Sequence, residues 1–105
     1  VEGVGGVMVP LNEKDTTLDW QAALNAKCIL ITGSYLGTLS HTMTALKALE
    51  QRGIKPTAII INSSETAPVP EQETADTLGR FVTDIPIYIV ARNAEDLPEE
   101  LVLTL

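Results

Sequence analysis

The sequence predicts an α/β fold with three layers, in which one parallel sheet carries helices on both of its faces. Two observations predict this class. Short uncharged runs of strand length recur along the 105 residues, and stretches with helical spacing of apolar residues separate them. A crossover helix between consecutive strands makes those strands parallel, and such crossovers are almost always right-handed. The length fits one domain with a modest core.

Local patterns place the elements along the chain. Apolar residues three or four apart mark the helices, whereas continuous apolar runs mark strands that are buried on both faces. Gly53 and Pro86 mark boundaries, because glycine often ends a helix and proline is tolerated at the start of a strand. In chain order the predicted elements are a short helix after Asp19, strand Cys28–Thr32, helix Leu39–Gln51, strand Thr57–Asn62, helix Glu71–Val82, strand Ile85–Val90, and a tail at Leu101–Leu105 that fits a helical turn or a strand.

The charge balance narrows the class of function. The net charge is -7 and no basic stripe is present, which argues against nucleic acid and against an anionic membrane surface as partners. No apolar run is long enough to span a membrane. Cys28 is the one cysteine and cannot form an internal disulfide, which fits a reducing, cytoplasmic compartment. Its apolar surroundings predict a core position.

Three segments follow the ends of predicted strands, and in parallel α/β sheets ligands bind beyond these carboxyl ends. They are Glu2–Gly6, Gly33–Ser40 and Asn62–Glu65. The sequence V-E-G-V-G-G at residues 1–6 is typical of a buried strand that runs into a loop. Only one apolar residue precedes Glu2, so we expect that strand to begin in residues ahead of Val1.

The first and third segments carry candidate ligand groups. A carboxylate such as Glu2, with glycines beside it, suits Mg²⁺, which takes one or two protein carboxylates together with phosphate oxygens. The same pattern also fits an ordinary surface turn. The amide of Asn62 offers a donor and an acceptor that suit the edge of a purine base, and it equally suits a turn into the following loop.

The second segment combines a turn with the start of a helix. Hydroxyl residues at Thr38 and Ser40 predict helix capping, and a helix start also attracts anions through its free amides. His41 falls in the first turn. A histidine without a partner in the sequence pattern is more often structural than catalytic. For the helix start itself, capping and anion binding both remain open.

Taken together, these segments resemble the dethiobiotin synthetases over nearly the whole chain. The resemblance lies in VEGVGGVMVPL, ITGSYLGTLSHTMTALKALEQRG and IIINSSE, with V-E-G-x-G-G and L-G-x-x-x-H as its most specific parts. It implies a P-loop NTPase-like, Rossmann-type α/β domain, of which residues 1–105 form the incomplete carboxyl-terminal part. It also implies a cytoplasmic homodimer that uses ATP, CO₂ and Mg²⁺ to carboxylate 7,8-diaminononanoate and close the ring of dethiobiotin.

The resemblance further implies a role for individual residues. Glu2 would bind Mg²⁺, and the helix start would hold the substrate carboxylate in a site shared across the dimer. The residues implied to line the nucleotide pocket are Gly3, Val4, Gly5, Asn62, Ser63, Pro86, Ile87 and Tyr88, and those implied to bind substrate are Gly37, Thr38 and Ser40.

One part of the family's pattern does not occur in the 105 residues. The phosphate loop G-x-x-x-x-G-K-[ST] is absent, and phosphoryl transfer depends on positioned charge around the phosphates. We therefore expect this chain alone to be inactive. A non-catalytic dimerisation or regulatory module of the same fold is the main alternative function, and another ATP-dependent amidase or a partition ATPase is a minor one.

Overall fold

The computed structural model describes residues 2–3, 5–63, 70–91, 94 and 96–104. In chain order its elements are α1 (Thr17–Leu24), β1 (Ile29–Thr32), α2 (Thr38–Gln51), β2 (Ala58–Asn62), α3 (Glu71–Phe81), β3 (Ile87–Val90) and α4 (Glu99–Thr104). The predicted α/β class is confirmed. For the three strands, α2 and α3, each boundary either coincides with the predicted one or differs from it by one or two residues. The tail, which fitted a turn or a strand, forms the helix α4.

The described strands form one parallel sheet with the order β1-β2-β3. β2 lies in the centre and pairs with β1 from Ile29↔Ala58 and with β3 from Ile59↔Ile87. Its residues 58–61 are all buried. Continuous apolar character is what a strand covered on both faces requires, which is why this run was recognisable in the sequence.

Helices cover both faces of the sheet, as the sequence predicts. On one face, the fully buried Leu101 of α4 packs with Ala58 and Ile60. On the other face, Thr32 at the end of β1 bonds to two threonines of α2. The alternation of side chains along a strand assigns these contacts to opposite faces.

The prediction that Cys28–Thr32 is buried on both faces is wrong in one position. Ile31 is 58% exposed. Its strand lies at an edge of the three described strands, and the cluster around Leu101 includes Ile29 but not Ile31. A continuous apolar run therefore marks the strand correctly and overstates how much of it is covered.

The first helix begins before Asp19 rather than after it. α1 starts at Thr17, and the Asp19 carboxylate accepts hydrogen bonds from the Thr16 amide at 2.8 Å and the Thr16 hydroxyl at 3.2 Å. These bonds, with the Arg52 guanidinium beside it, lower the pKa of the Asp19 carboxyl. An acidic residue three positions after the N-cap stabilises a helix start in this way.

The predicted core position of Cys28 is confirmed. Cys28 is buried with Leu18 of α1 and Leu49 of α2. Burial raises the pKa of its thiol, because an apolar environment disfavours the thiolate. The residue therefore fills space between α1, α2 and the sheet.

Candidate functional site

The start of α2 is built on a glycine. Gly37 is the N-cap and has a φ of +90°, a backbone conformation that residues with a Cβ rarely adopt. No side chain caps the helix there. The expectation that hydroxyl residues cap this helix is therefore wrong, because Thr38 is already inside the first turn and its hydroxyl points to other partners.

Those partners form a chain of three threonine hydroxyls. Thr32 Oγ1 lies 2.8 Å from Thr38 Oγ1 and 2.7 Å from Thr42 Oγ1. Thr38 donates its hydroxyl hydrogen to the carbonyl of Gly33 at 2.6 Å. Since each hydroxyl has one hydrogen, Thr32 must donate to Thr38 and Thr42 must donate to Thr32. All three hydrogens are consequently used inside the fold.

A tyrosine and a histidine pair beside this helix start. Tyr35 Oη lies 3.0 Å from His41 Nδ1, and the two ring centres are 5.6 Å apart. The His41 ring also lies against Gly37: a Cβ at that glycine would be 3.6 Å from Cε1 and 3.7 Å from Nε2. The histidine thus has a partner that its position in the sequence did not reveal.

A groove of about 610 Å³ brings the glycine segment to the helix start. Gly5 and Gly6 line it together with Tyr35 and His41. The remaining lining residues are Val7, Leu30, Ile31, Thr32, Gly33, Thr42 and Ala45. Two of the three segments expected to meet at the carboxyl edge of the sheet are therefore neighbours.

Backbone contacts hold the residues that follow the glycine segment against α1. Leu18 donates its amide to the Val7 carbonyl at 2.8 Å, and Thr17 donates to Val9 at 2.9 Å. A Cβ at Gly3 would lie 2.7 Å from Thr17 Cγ2, so this position has no room for a larger residue without a shift. Val4, predicted to line the nucleotide pocket, lies outside the described residues.

Glu2, the predicted magnesium ligand, is exposed and does not line the groove. Within residues 2–3, 5–63, 70–91, 94 and 96–104, no group of three or more His, Cys, Asp or Glu side chains could hold a metal ion. A lone exposed carboxylate fits Mg²⁺ only as one ligand among phosphate and water oxygens. The described residues therefore provide no cage of three or more such side chains for a metal.

The predicted base-contacting residues fall into two groups. Asn62 is exposed at the carboxyl end of β2, and the Ser63 amide donates to the Val90 carbonyl at 3.1 Å, which ties the ends of β2 and β3 together. Pro86 precedes β3, and its carbonyl accepts from Ile59 at 2.9 Å.

Ile87 and Tyr88 lie in the amino half of β3, opposite Ile59 and Ile60. With a rise of about 3.3 Å per residue, Ile87 is about 10 Å from Val90 along the strand. The structure does not bring Pro86, Ile87 and Tyr88 to the edge where Asn62 lies.

A second groove lies away from these segments. It has a volume of about 270 Å³ and includes the ends of α2 and α3, with Phe81 69% exposed at its rim. Exposed ion pairs, Lys47–Glu50 and Lys55–Asp84, flank it. None of the predicted site residues that the structure describes lines this groove.

The sequence interpretation missed the Tyr35–His41 pair and the role of Thr42. A signal for Thr42 was present, because positions 38 and 42 are four apart and so share one face of α2. No comparable spacing marks Tyr35, since it lies in the turn before the helix.

Within the part of the chain that the structure describes, no helix is long and apolar enough to cross a membrane.

Comparison with known proteins finds the same family that the sequence motifs resemble. A family model described as an AAA domain matches residues 1–92. The ATP-dependent dethiobiotin synthetase BioD of Acidiphilium cryptum (strain JF-5) is 50% identical over 91 residues, which are 85% of this chain and 41% of that protein. The protein of the same name from Caulobacter sp. (strain K31) is 45% identical over 92 residues, 88% of this chain and 40% of that protein. The chain thus spans about two fifths of the length of these relatives.

Proposed function

Because this chain belongs to the AAA domain family, we propose that it forms the carboxyl-terminal part of a dethiobiotin synthetase. The complete enzyme would carboxylate 7,8-diaminononanoate with CO₂ and close the ureido ring with ATP and Mg²⁺. Relatives that carry this name are up to 50% identical to the chain. The structural observation that carries the proposal is the start of α2, where Gly37 has a φ of +90° and no side chain caps the helix.

The proposal gives the glycine segment and the start of α2 separate tasks. Gly3 and Gly5 would let the nucleotide approach the backbone closely, since glycine has no side chain, and Val4, between them in the sequence, would line the same pocket. Gly37 and Ser40 would place the start of α2 against the substrate carboxylate. Thr38 would contribute by holding that helix in place, because its hydroxyl hydrogen is already donated to Gly33.

The nucleotide base would be read at the end of β2. Asn62 is exposed there and can both donate and accept, and Ser63 lies beside it. The proposal does not give Pro86, Ile87 and Tyr88 direct contacts with the base, because they lie in the amino half of the β3 region.

Glu2 would supply one oxygen ligand to Mg²⁺. When bound, the metal would neutralise charge on the phosphates. The other ligands would be phosphate and water oxygens, in keeping with the single exposed carboxylate at this place.

The enzyme would be a cytoplasmic homodimer in which the start of α2 serves the partner's site. The alternative is a non-catalytic dimerisation or regulatory module of the same fold. The absence of G-x-x-x-x-G-K-[ST] from the 105 residues favours that alternative for this chain in isolation, and it is why we expect no turnover from the chain alone.

An incorporation assay tests the proposal. The protein as its gene encodes it is supplied with ¹⁴C-bicarbonate, diaminononanoate, ATP and Mg²⁺, and label in dethiobiotin is measured. We expect label that depends on every component. Glu2→Gln should raise the Mg²⁺ concentration needed for half-maximal rate, whereas Glu13→Gln, a matched change at another exposed glutamate, should not. Absence of label from the complete gene product, with Mg²⁺ and ATP saturating, would favour the module.

A further inference from the structure

The start of α2 has fewer free donors than its sequence suggests. Thr38 donates its hydroxyl hydrogen to Gly33, and its amide donates to the Tyr35 carbonyl at 3.1 Å. The His41 amide donates to Gly37 at 3.0 Å. A carboxylate bound at this place would therefore need donors beyond Thr38, and a side chain that offers one lies directly beside it.

That side chain is His41, and its hydrogen-bond partner fixes its tautomer. A phenol is a stronger acid than a neutral imidazole N–H, and an imidazole nitrogen is a stronger base than a phenol oxygen. The favoured arrangement of the 3.0 Å contact is thus Tyr35 donating to Nδ1. In neutral imidazole one nitrogen carries the hydrogen, so this bond places it on Nε2.

The second nitrogen lies where the proposed ligand would bind. Nε2 is 3.7 Å from the position a Cβ would take at Gly37, so this edge of the ring lies beside the N-cap of α2. Within the described residues, Nε2 has no hydrogen-bond partner. Tyr35 and His41 both line the groove described above.

We infer that His41 donates a hydrogen bond from Nε2 to the carboxylate of the diamino acid, and that Tyr35 positions this donor by holding Nδ1. The inference rests on the proposed function, because it takes the ligand from there. It adds a ligand contact at His41 and a positioning role at Tyr35 that acts through the histidine. The group that accepts this hydrogen bond is the carboxylate of the substrate tail, and not a phosphate of ATP.

The tautomer can be measured directly. His41 is the one histidine of the sequence, so its two ring nitrogens give unambiguous ¹⁵N signals. We expect a protonated Nε2 and an unprotonated, hydrogen-bonded Nδ1 in the neutral ring. Tyr35→Phe should move the signals toward a mixture of tautomers. A hydrogen found on Nδ1 in the unchanged protein would overturn the inference.

Two substitutions at position 41 then separate the two nitrogens. The side-chain amide nitrogen of glutamine can take the place of Nε2, whereas that of asparagine takes the place of Nδ1. Binding of diaminononanoate and of its neutral amide analogue is measured by titration calorimetry in the gene-encoded protein. A hydrogen bond to a charged group is lost in H41N, so we expect about tenfold to a hundredfold weaker binding of the carboxylate. H41Q should stay within about threefold of the unchanged protein.

The expected pattern is specific to the carboxylate. The neutral analogue and ATP should bind H41N as well as they bind the unchanged protein, and Tyr35→Phe should raise KM for diaminononanoate about threefold without changing kcat. Equal losses in H41N and H41Q, or no loss in either, would overturn the inference and leave the proposed function intact. Failure of the unchanged protein to bind diaminononanoate would overturn the proposed function and this inference with it.

Discussion

Thr32→Val removes the central hydroxyl of the chain that runs from Thr42 through Thr32 and Thr38 to the Gly33 carbonyl. Valine keeps the branched shape and the strand preference of threonine, so the change acts mainly on hydrogen bonds. Because the hydrogens all run in one direction, the substitution leaves the Thr42 hydroxyl with a hydrogen and no acceptor. Thr42 is only 4% exposed, so water cannot easily replace that acceptor.

The expected cost can be worked out from these contacts. A buried donor without a partner costs about 2 kcal/mol, and the lost bond to Thr38 costs about 1 kcal/mol. The added methyl group returns about 0.8 kcal/mol. We therefore expect Thr32→Val to lower the free energy of unfolding by about 2 kcal/mol. Thr42→Val removes the donor itself and should cost about 0.5 kcal/mol or less.

The combined variant gives the decisive comparison. In T32V/T42V no donor is left without an acceptor, so adding Thr42→Val should restore about 1–2 kcal/mol to the Thr32→Val protein. Urea unfolding followed by circular dichroism, with equal slopes for all variants, measures the three free energies. If Thr42→Val destabilises the Thr32→Val protein further, the assigned direction of the hydroxyl chain is wrong.

Three further predictions concern stability, each measured by urea unfolding. Gly3→Ala should cost about 1 kcal/mol, because its Cβ would lie 2.7 Å from Thr17 Cγ2, and Thr17→Ser should recover most of that loss; no recovery would refute the contact. Leu101→Ala should cost about 2–5 kcal/mol, whereas Leu103→Ala, at an 80% exposed site, should change stability by less than about 0.5 kcal/mol; similar effects would contradict the packing of α4. Hydrogen bonding at the start of α1 lowers the pKa of Asp19 below its ordinary 3.8. The ionised carboxylate therefore stabilises the folded protein above that value, and this stabilisation is lost as the pH falls through the folded pKa. Asp19→Asn should therefore narrow the difference in stability between neutral and acid pH, and an unchanged difference would refute the assignment.

The elements that the sequence predicted well are those in which one physical demand dominates. Residues 58–61 are covered on both faces, so every position had to be apolar. The face of α3 was also predictable, since Thr74 and Leu78 are buried at helical spacing. Whether a strand lies at the edge of a sheet depends, by contrast, on which strands are its neighbours. The apolar run around Ile31 therefore did not indicate that this residue is exposed.

The candidate site was predictable in place and not in detail. The carboxyl ends of parallel strands lie on one side of any such sheet, so the meeting of Gly5 with the start of α2 followed from the fold class. The direction of each hydroxyl hydrogen did not follow, because it depends on three-dimensional partners. Thr38 shows the difference, since its position was expected but its hydrogen is directed inward to Gly33.

The order of the strands in the sheet also bears on how the protein is made. β1, β2 and β3 follow one another in space as they do along the chain. During synthesis, β2 leaves the ribosome after β1 and β3 after β2, so among these three described strands none is inserted between two that are already joined. These three strands can be added in turn at one edge while translation continues, which limits the time that their apolar surface remains without a partner.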